Sequence, residues 1–487
     1  MEAFYNKARQ AYVEWSALEL SKRLGYLRRL RHVIVDNLDR IVDEIQSSTG
    51  KTPVEALTAD IFTVLDGIYH LEKHTARALK TQKVPTPVVL MGKRSYIEYR
   101  PRGVVLIIAP WNFPFQLSLL PTLTAIAAGN TVILKPSEIT PRVGDLIIDL
   151  MEKAGFPRCV VQVVQGGKEV GAALVEGRPD YIFFTGSVQT GKLIQAKAAE
   201  NLIPTTLELG GKDPMIVCAD ANIARAVAGA LWGGFNNCGQ VCMSVERLLV
   251  HNDIYTTFVD QLVQQVGELT QGVGCDADLG AMTHRGQAEL VGAQIHDALK
   301  QGARLLTGLE PDKWNLEDSL AIAPMVLVNI TPSMRIWHEE TFGPVLPVMV
   351  YDDEKTAVAL ANDSNYGLNA SVWSQDMKQA QRIASRLITG SVVINDVMIS
   401  VANPNLPFGG VKESGLGRYH GDVGLQSFCH QTAVVVDRGR KTKELAWYPY
   451  AGKYEGFYQL SRGLFGRKPR AKQLGSAFLH FILRKHS

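Results

Sequence analysis

PTTLELGGKDPMIVCA, Pro204 to Ala219, is the stretch that decides the fold. Two β-rich runs, PTTLELG and PMIVCA, stand on either side of Gly210 and Gly211. Toward the amino terminus, the runs DYIFFTG, VVQVVQG, NTVILKP and VVLIIAP alternate with segments of helical length as far back as Gly103. Toward the carboxyl terminus, RLLVHN, PMVLVNI, VLPVMVYD, LNASVW and SVVIND repeat the alternation. Strands separated by helices imply an α/β protein with a parallel, doubly wound sheet. Strands buried on both faces should be apolar almost without interruption, and these are. Two α/β substructures therefore meet near Gly210 and Gly211. Ligands belong outside the carboxyl ends of such strands, and interfaces between substructures commonly hold small molecules.

Just beside that junction, LELGGKDP carries Glu208 and NNCGQVCMS carries Cys242. Both lie among glycines and small polar residues. A thiol is a potential nucleophile and a carboxylate a potential base. Taken singly, Cys242 reads as a small buried residue and Glu208 as a solvated charge. Cys238, four residues before Cys242, raises the alternative of a metal pair. No second Cys/His cluster with ligand spacing accompanies it, so no metal is expected.

Composition narrows the class. A chain of 487 residues exceeds one ordinary core, and 46% hydrophobic with 20% charged residues suits a soluble globular protein. The net charge of +3 argues against nucleic acid as a partner. Charge is uneven: from Asp437 onward twelve Lys and Arg face three acids. Six cysteines spread along a chain with no secretory leader at its start lead to the expectation of a reduced, cytoplasmic setting. No apolar run reaches the roughly 20 residues that span a bilayer. Residues 1 to 80 read as helices, with Leu20, Leu24, Leu27, Leu30 and Ile34 at three- and four-residue spacing and a break from Thr49 to Pro53. Arg94 to Tyr99 reads as a strand of a hairpin arm.

Five further motifs bear on chemistry. PWNFP (Pro110–Pro114) follows a strand and could present the Asn112 amide to an oxyanion, although alone it is a Pro-bounded turn. KPSE (Lys135–Glu138) sets a Lys and a Glu at a strand end, where they suit ribose hydroxyls or a surface turn. FTGSVQTGK (Phe184–Lys192) joins a strand to a helix through Gly186, Ser187 and Gly191, departing from the usual GxGxxG fingerprint. EETFGP (Glu339–Pro344) and PFGGVKESGLGRYHG (Pro407–Gly421) complete the set.

In this order, from about residue 20 to residue 435, these motifs resemble the NAD(P)-dependent aldehyde dehydrogenase superfamily. The spacing and the GRYHG ending are closest to its fatty aldehyde dehydrogenase class. The resemblance implies an aldehyde dehydrogenase fold: a Rossmann-like cofactor domain (1–80 and 100–209), an α/β catalytic domain (210–428) and a β oligomerisation arm (81–99 and 429–436). Residues 437–487 form a basic, aromatic extension beyond that core. It further implies Cys242 as nucleophile, Glu208 as the base that activates water, and Asn112 with the Cys242 N–H as oxyanion hole. Trp111, Lys135, Glu138, Gly186, Ser187, Gly191, Leu209, Glu340 and Phe342 are then expected at the cofactor, with Lys135 and Glu138 on the adenosine ribose and Glu340 on the nicotinamide ribose. An acid at the adenosine ribose repels a 2′-phosphate, so NAD is expected over NADP, with NADP open. Phe115, Trp232 and Phe408 are candidates for the substrate pocket, as is Phe235.

Relatives that pass the acyl group to coenzyme A generally lack the glutamate base, so Glu208 favours hydrolysis of the thioester to a carboxylic acid. Medium- or long-chain aliphatic aldehydes are the expected substrates, with aromatic aldehydes and a noncatalytic descendant as alternatives. A homodimer is expected, a tetramer remaining open. Within the extension, Trp447, Tyr448, Tyr450, Tyr454, Phe457 and Tyr458 interleave with bases. It either lies on anionic lipid or forms a docked or partly disordered tail, and extensions of this class also cover substrate entrances.

Overall fold

The computed structural model describes residues 1–87, 90–466 and 471–483. Its strands are β1 (Gln82–Val84), β2 (Arg94–Pro101), β3 (Val104–Ile108), β4 (Thr131–Lys135), β5 (Val161–Val163), β6 (Tyr181–Thr185), β7 (Thr205–Glu208), β8 (Asp213–Val217), β9 (Val245–His251), β10 (Arg304–Leu305), β11 (Met325–Val328), β12 (Val345–Tyr351), β13 (Asn369–Trp373), β14 (Ser391–Ile394), β15 (Gly415–Leu416) and β16 (Cys429–Val436). All eleven apolar runs read as strands in the two sets are strands.

They form two large sheets. The first has the order β15-β7-β6-β3-β4-β5, parallel throughout except where β15 pairs antiparallel with β7. The second has the order β10-β11-β12-β9-β8-β13-β14, parallel except for the antiparallel edge strand β10. Strands β3, β4, β8 and β13 are buried at every residue. Val, Ile and Leu supply most of these positions because both faces of the sheet are covered. The two short edge strands, β10 and β15, are two residues each, below the length at which a periodic pattern is readable.

The order of the first sheet places β3 at its centre, with β4 and β5 on one side and β6 and β7 on the other. The chain reverses its direction of travel between β5 and β6, the arrangement that opens a crevice at the carboxyl edge. PWNFP follows β3, KPSE begins at the last residue of β4, Gly186 and Ser187 follow β6, and Glu208 ends β7. The second sheet turns its amino ends to the same region. Cys242 lies just before β9, and Glu340 and Phe342 just before β12.

The amino-terminal residues form helices Glu2–Ala17, Leu20–Val35 and Leu38–Thr49, and Thr63–Ala78 follows the break. Between them, a capping box at Thr52 and Glu55 opens a single helical turn. That turn runs into a π-helix, Ala56–Phe62. Wide π turns are rare and concentrate at functional sites. This one places Asp60, fully buried, against Lys51, also fully buried, at 2.6 Å.

Two compact units divide the chain: Met1–Gln82 with Ile97–Ala433, and Lys83–Tyr96 with Val434–Ser487. Both large sheets belong to the first. Strands β1, β2 and β16 form a third sheet in the order β1-β2-β16. In the second unit Lys93 bonds Asp437 at 2.7 Å and Glu444 at 3.0 Å, and helices Tyr454–Phe465 and Ala471–Leu483 pack on each other. Residues 88–89 of the expected arm, and 467–470 and 484–487 of the extension, lie outside the described residues. Among the described residues no helix is long and apolar enough to cross a membrane.

Candidate active site

The loop that leads to the nucleophile candidate Cys242 has a backbone that ordinary residues avoid. Asn237, Cys238 and Gly239 have φ of 50°, 53° and 70°, three successive left-handed residues. Such conformations cost of order 1–3 kcal/mol at a non-glycine residue and persist only where neighbours hold them. Here the neighbours are visible. Glu55 accepts the Asn237 backbone N–H at 2.6 Å, and the Asn237 amide donates to the Asn112 carbonyl at 3.1 Å. Lys51 Nζ donates to that same carbonyl at 2.9 Å. The Asn112 side chain, almost fully buried, donates to the Gln240 carbonyl at 2.9 Å. Asp60 completes the frame by accepting the Gln116 N–H at 3.0 Å. The PWNFP loop and the Cys loop are thus fastened to each other and to residues 51–60.

Cys242 is half-buried. Burial raises its thiol pKa, and the charges of Glu340, Asp213 and Glu208 push the same way, against a small opposing effect of its own backbone N–H. Cys238 is fully buried and donates from its thiol to the Gly280 carbonyl at 3.4 Å, a packing role. Among the described residues no group of His, Cys, Asp and Glu could hold a metal.

Glu208 is 5% exposed, and neither carboxyl oxygen has a hydrogen-bond partner. Burial drives its pKa well above the carboxylate range, with Arg418 pulling weakly down. Arg418 itself is committed to the Gly410 and Gly417 carbonyls at 2.8 and 2.6 Å. A Cβ at Gly409 would stand 3.0 Å from Glu208 Oε1, so the PFGG loop closes directly over the carboxyl.

The region proposed for a dinucleotide is assembled from both sheets. Lys135 bonds Glu138 at 2.9 Å. Burial tends to raise the Glu138 carboxyl, but its own backbone N–H and Lys135 outweigh this and hold it low. Ser187 caps helix Val188–Ala199 by accepting the Thr190 N–H, so a positive helix end faces the crevice. Gly191 fits under Leu209, where a Cβ would fall 2.6 Å from its side chain. Trp111 meets the edge of Phe342 with ring centres 5.5 Å apart. Glu340 accepts the Gly211 N–H at 3.0 Å, and burial with the nearby Glu246 charge pushes its pKa up to about 8.

Five residues of this frame carry no signal in the sequence. Lys51 in the break after Thr49, and Glu55 and Asp60 in the helical turns that follow, act far along the chain from every motif. Lys212 and Glu246 flank the motifs and face each other at 2.7 Å, both buried. Glu246 also accepts the N–H groups of Thr341 and Phe342 at 2.7 and 2.9 Å, fixing the loop that presents Glu340. Phe342 has φ of 52° there. The pocket candidates separate: Phe408 is buried beside Tyr419, Trp232 is half exposed, and Phe235 is buried. Phe115 has no accessible surface and packs in the same apolar core as Phe235 and Phe408.

With this geometry in hand, comparison with known proteins decides the family. The model of the aldehyde dehydrogenase family matches residues 1–434. The chain belongs to that family. An aldehyde dehydrogenase is an oxidoreductase acting on aldehydes, and the thiol, carboxyl and amide set matches that chemistry. This aldehyde dehydrogenase is 44% identical over 485 residues to a 4,4'-diapolycopene aldehyde oxidase of Methylomonas, covering 98% of this chain and 90% of the relative. It is 36% identical over 445 residues to a 4,4'-diaponeurosporen-aldehyde dehydrogenase of Staphylococcus aureus, covering 90% of this chain and 94% of that one. Among solved structures, the NAD+ complex of an aldehyde dehydrogenase from Bacillus cereus superposes with a TM-score of 0.85 at 34% identity, covering 90% and 88% of the two chains. The aldehyde dehydrogenase fold expected from the motifs is the fold observed.

The Lys212 and Glu246 pair generates a stability prediction. Glu246→Gln strands a buried ammonium and is expected to cost about 3 kcal/mol or more. The double variant Lys212→Met/Glu246→Leu is expected to recover most of that loss. Denaturant midpoints of the three proteins check this; equal midpoints for the single variant and the native enzyme would mean the pair contributes nothing.

Proposed function

We propose that this aldehyde dehydrogenase oxidises long, apolar aldehydes to carboxylic acids with NAD, and that Cys242, Glu208 and Asn112 carry the chemistry. The supporting observation is the state of Glu208: a buried carboxyl left without a hydrogen-bond partner, whose charge is felt at Cys242. A paired carboxylate would be a poor base. An unpaired, desolvated one holds a proton more strongly and approaches the affinity that general-base work near neutral pH requires.

Burial and the surrounding acids hold the Cys242 thiol protonated, and its proton is given up to solvent rather than to Glu208 before attack. Transfer of that proton leaves a thiolate that attacks the aldehyde carbon, and the oxyanion formed is met by the Asn112 amide and the Cys242 N–H. The Asn112 side chain, now donating to the Gln240 carbonyl, is already fixed in the Cys loop. A bound NAD supplies the acceptor for the hydride lost by the substrate. Lys135 and Glu138 would hold its adenosine ribose, the Ser187 end of helix Val188–Ala199 its pyrophosphate, and Glu340 its other ribose. The acidic Glu138 disfavours a 2′-phosphate and so NADP. Water activated by Glu208 then releases the acyl group from Cys242 as carboxylate, without coenzyme A.

Substrate class is supported by the relatives. Two of them are named for 4,4'-diapolycopene aldehyde and 4,4'-diaponeurosporen-aldehyde, and the Methylomonas likeness runs through 98% of this chain, past residue 434 where the family model ends. We infer that long isoprenoid polyene aldehydes are the natural class, with long aliphatic aldehydes as accessible surrogates. Such substrates reside in membranes. In the extension Trp447, Tyr448, Tyr450 and Tyr454 are each more than half exposed among Lys and Arg, a composition suited to an anionic interface. Strands β2 and β16 are proposed to pair subunits in a homodimer.

Two experiments test this. With decanal and NAD, Cys242→Ala is expected to form no NADH. Glu208→Gln is expected to give a burst near one equivalent and then turn over at least ten-fold more slowly. Because burial raises the Glu208 pKa, native kcat should rise with pH through a limb above the ordinary carboxylate range, and that limb should vanish in Glu208→Gln. Activity of Cys242→Ala at the native level would end the assignment, and a polyene aldehyde turned over no better than benzaldehyde would end the substrate class. For the extension, vesicles containing phosphatidylserine should co-sediment the full chain and not a chain ending at Arg440. Equal sedimentation of both removes the membrane contact.

A further inference from the structure

A cleft of about 820 Å³, counting the part open to solvent, is lined by Tyr419 and His420 and takes no part in the chemistry so far assigned. Its walls are helix Thr63–Ala78, helix Pro114–Ala127 and the segments 401–404 and 419–425. Asp66, His70 and His74 line one side, Leu120 another, and Tyr419 and His420 the inner end. Apolar clefts can be empty, but this one has three imidazoles, a phenol and two carboxylates, Asp66 and Asp422, on its surface.

The inner end is tied to the active site by its backbone. Phe408 and Tyr419 exchange both backbone hydrogen bonds, at 2.6 and 2.7 Å, and the next residue after Phe408 is Gly409, which touches Glu208. Sheet register places Tyr419 on the Glu208 side. Its ring packs edge-on against Phe183, centres 5.1 Å apart; Phe183 is paired with Thr206; and Thr206 and Glu208, two residues apart in β7, share a face. The negative charge of Glu208 is felt at the Tyr419 phenol. His420 follows with its ring 4.2 Å from that of Tyr419, and its Nδ1 is buried without a partner.

Two unsatisfied groups, the Glu208 carboxyl and His420 Nδ1, therefore bracket one side chain that separates the active site from a polar cleft. Buried polar atoms without partners cost about 1–3 kcal/mol each and are commonly met by water. We propose that the cleft is the proton port of the acyl-hydrolysis step, with water, Tyr419 and His420 connecting Glu208 to solvent. The proposal rests on Glu208 being the base of that step.

Hydrolysis forms a bond between the water oxygen and the acyl carbon, and the carbon–sulfur bond breaks with its electron pair returning to Sγ. The proton removed from water goes to Glu208. Glu208 is 5% exposed, so this proton has no direct way out and must leave before the next turnover. His420 is suited to pass it because burial, with His70 adding, lowers its pKa to about 4 and keeps the ring neutral, able to accept on one nitrogen as it donates from the other. The other titratable groups facing the cleft are Asp66, His70 and His74 on the helix, the last two stacked 4.4 Å apart, and Asp422 on the opposite wall, paired with Arg77 at 3.2 Å. Arg418 stands beside Glu208; helix Pro114–Ala127 contributes only Leu120 and Thr124. Tyr419 and His420 are positioning and relay residues, since neither is placed at the reacting carbon.

Rapid-mixing and steady-state measurements with decanal and NAD test the port on the full chain. In His420→Ala and in the volume-conserving pair His420→Gln and Tyr419→Phe, the first-turnover burst of NADH is expected at native rate and amplitude. Steady-state turnover is expected to fall about ten-fold or more, and millimolar imidazole, entering the open cleft, should restore most of it in His420→Ala but not in Glu208→Gln. A burst slowed in parallel with turnover, native turnover in all three variants, or the absence of imidazole rescue would overturn the port. A native enzyme with no burst, or a Glu208→Gln variant with unimpaired turnover, would instead overturn the role of Glu208 itself.

Discussion

Gly210 and Gly211 are the constraint on which this enzyme depends. The chain leaves the first sheet at Glu208 and enters the second at Asp213, and it crosses where no side chain fits. A Cβ at residue 210 would come within 2.4 Å of the Glu340 carboxylate, and one at 211 within 2.2 Å of the Cys242 carbonyl. Backbone must therefore lie directly against both groups, and the Gly211 N–H is free to bind Glu340. Because of that closeness, a strand end from one sheet and loops preceding two strands of the other converge on one small volume. Carboxyl ends of the first sheet supply Asn112, Lys135, Ser187 and Glu208; amino ends of the second supply Cys242 and Glu340.

Convergence of that kind brings charge into the interior, and the protein handles it in two opposite ways. Framework charges are matched: Lys51 with Asp60, Lys212 with Glu246, each also binding backbone groups of the loops they position. A buried pair of this type gains little net stability over apolar side chains, but it fixes geometry through directional bonds to two or three partners. Lys51 holds the Asn112 carbonyl, and Glu246 holds the Thr341 and Phe342 N–H groups. Both pairs act on the backbone of a loop whose side chains face the substrate region.

The positions of the strands and the junction were legible in the sequence because parallel strands buried on both faces leave long apolar runs, from Val104–Ile108 to Ser391–Ile394. Motif residues were legible because glycine, proline and a thiol stand out against that texture. What fastens them was not. Lys51 lies in the break between helical segments and Asp60 in the segment after it, where charges look solvated, and only a π turn, which leaves no compositional trace, directs Asp60 inward. An aromatic beside a motif, such as Phe115, is in sequence equally compatible with the wall of a pocket and with the core, and helix Pro114–Ala127 is buried on nearly every side. The second unit, with its aromatic and basic residues on short helices, lacks the periodicity that would have given its form.

Glu208 departs furthest from the matching of charge, with both oxygens unpartnered where Asp213 leaves only Oδ2 so, and that departure is what function requires. Arg418 lies close enough to affect it, yet its Nη1 donates to the Gly410 and Gly417 carbonyls. Had the guanidinium turned to the carboxylate, the pair would have resembled Lys212 and Glu246, with the carboxylate stabilised as an anion and weakened as a base. Leaving both oxygens unpartnered sacrifices a few kcal/mol of stability, on the scale of a buried unsatisfied polar group. The frame of matched charges around it, with the PFGG loop closed at Gly409, is what allows the fold to tolerate that loss at the one position where a proton must be bound and then given up.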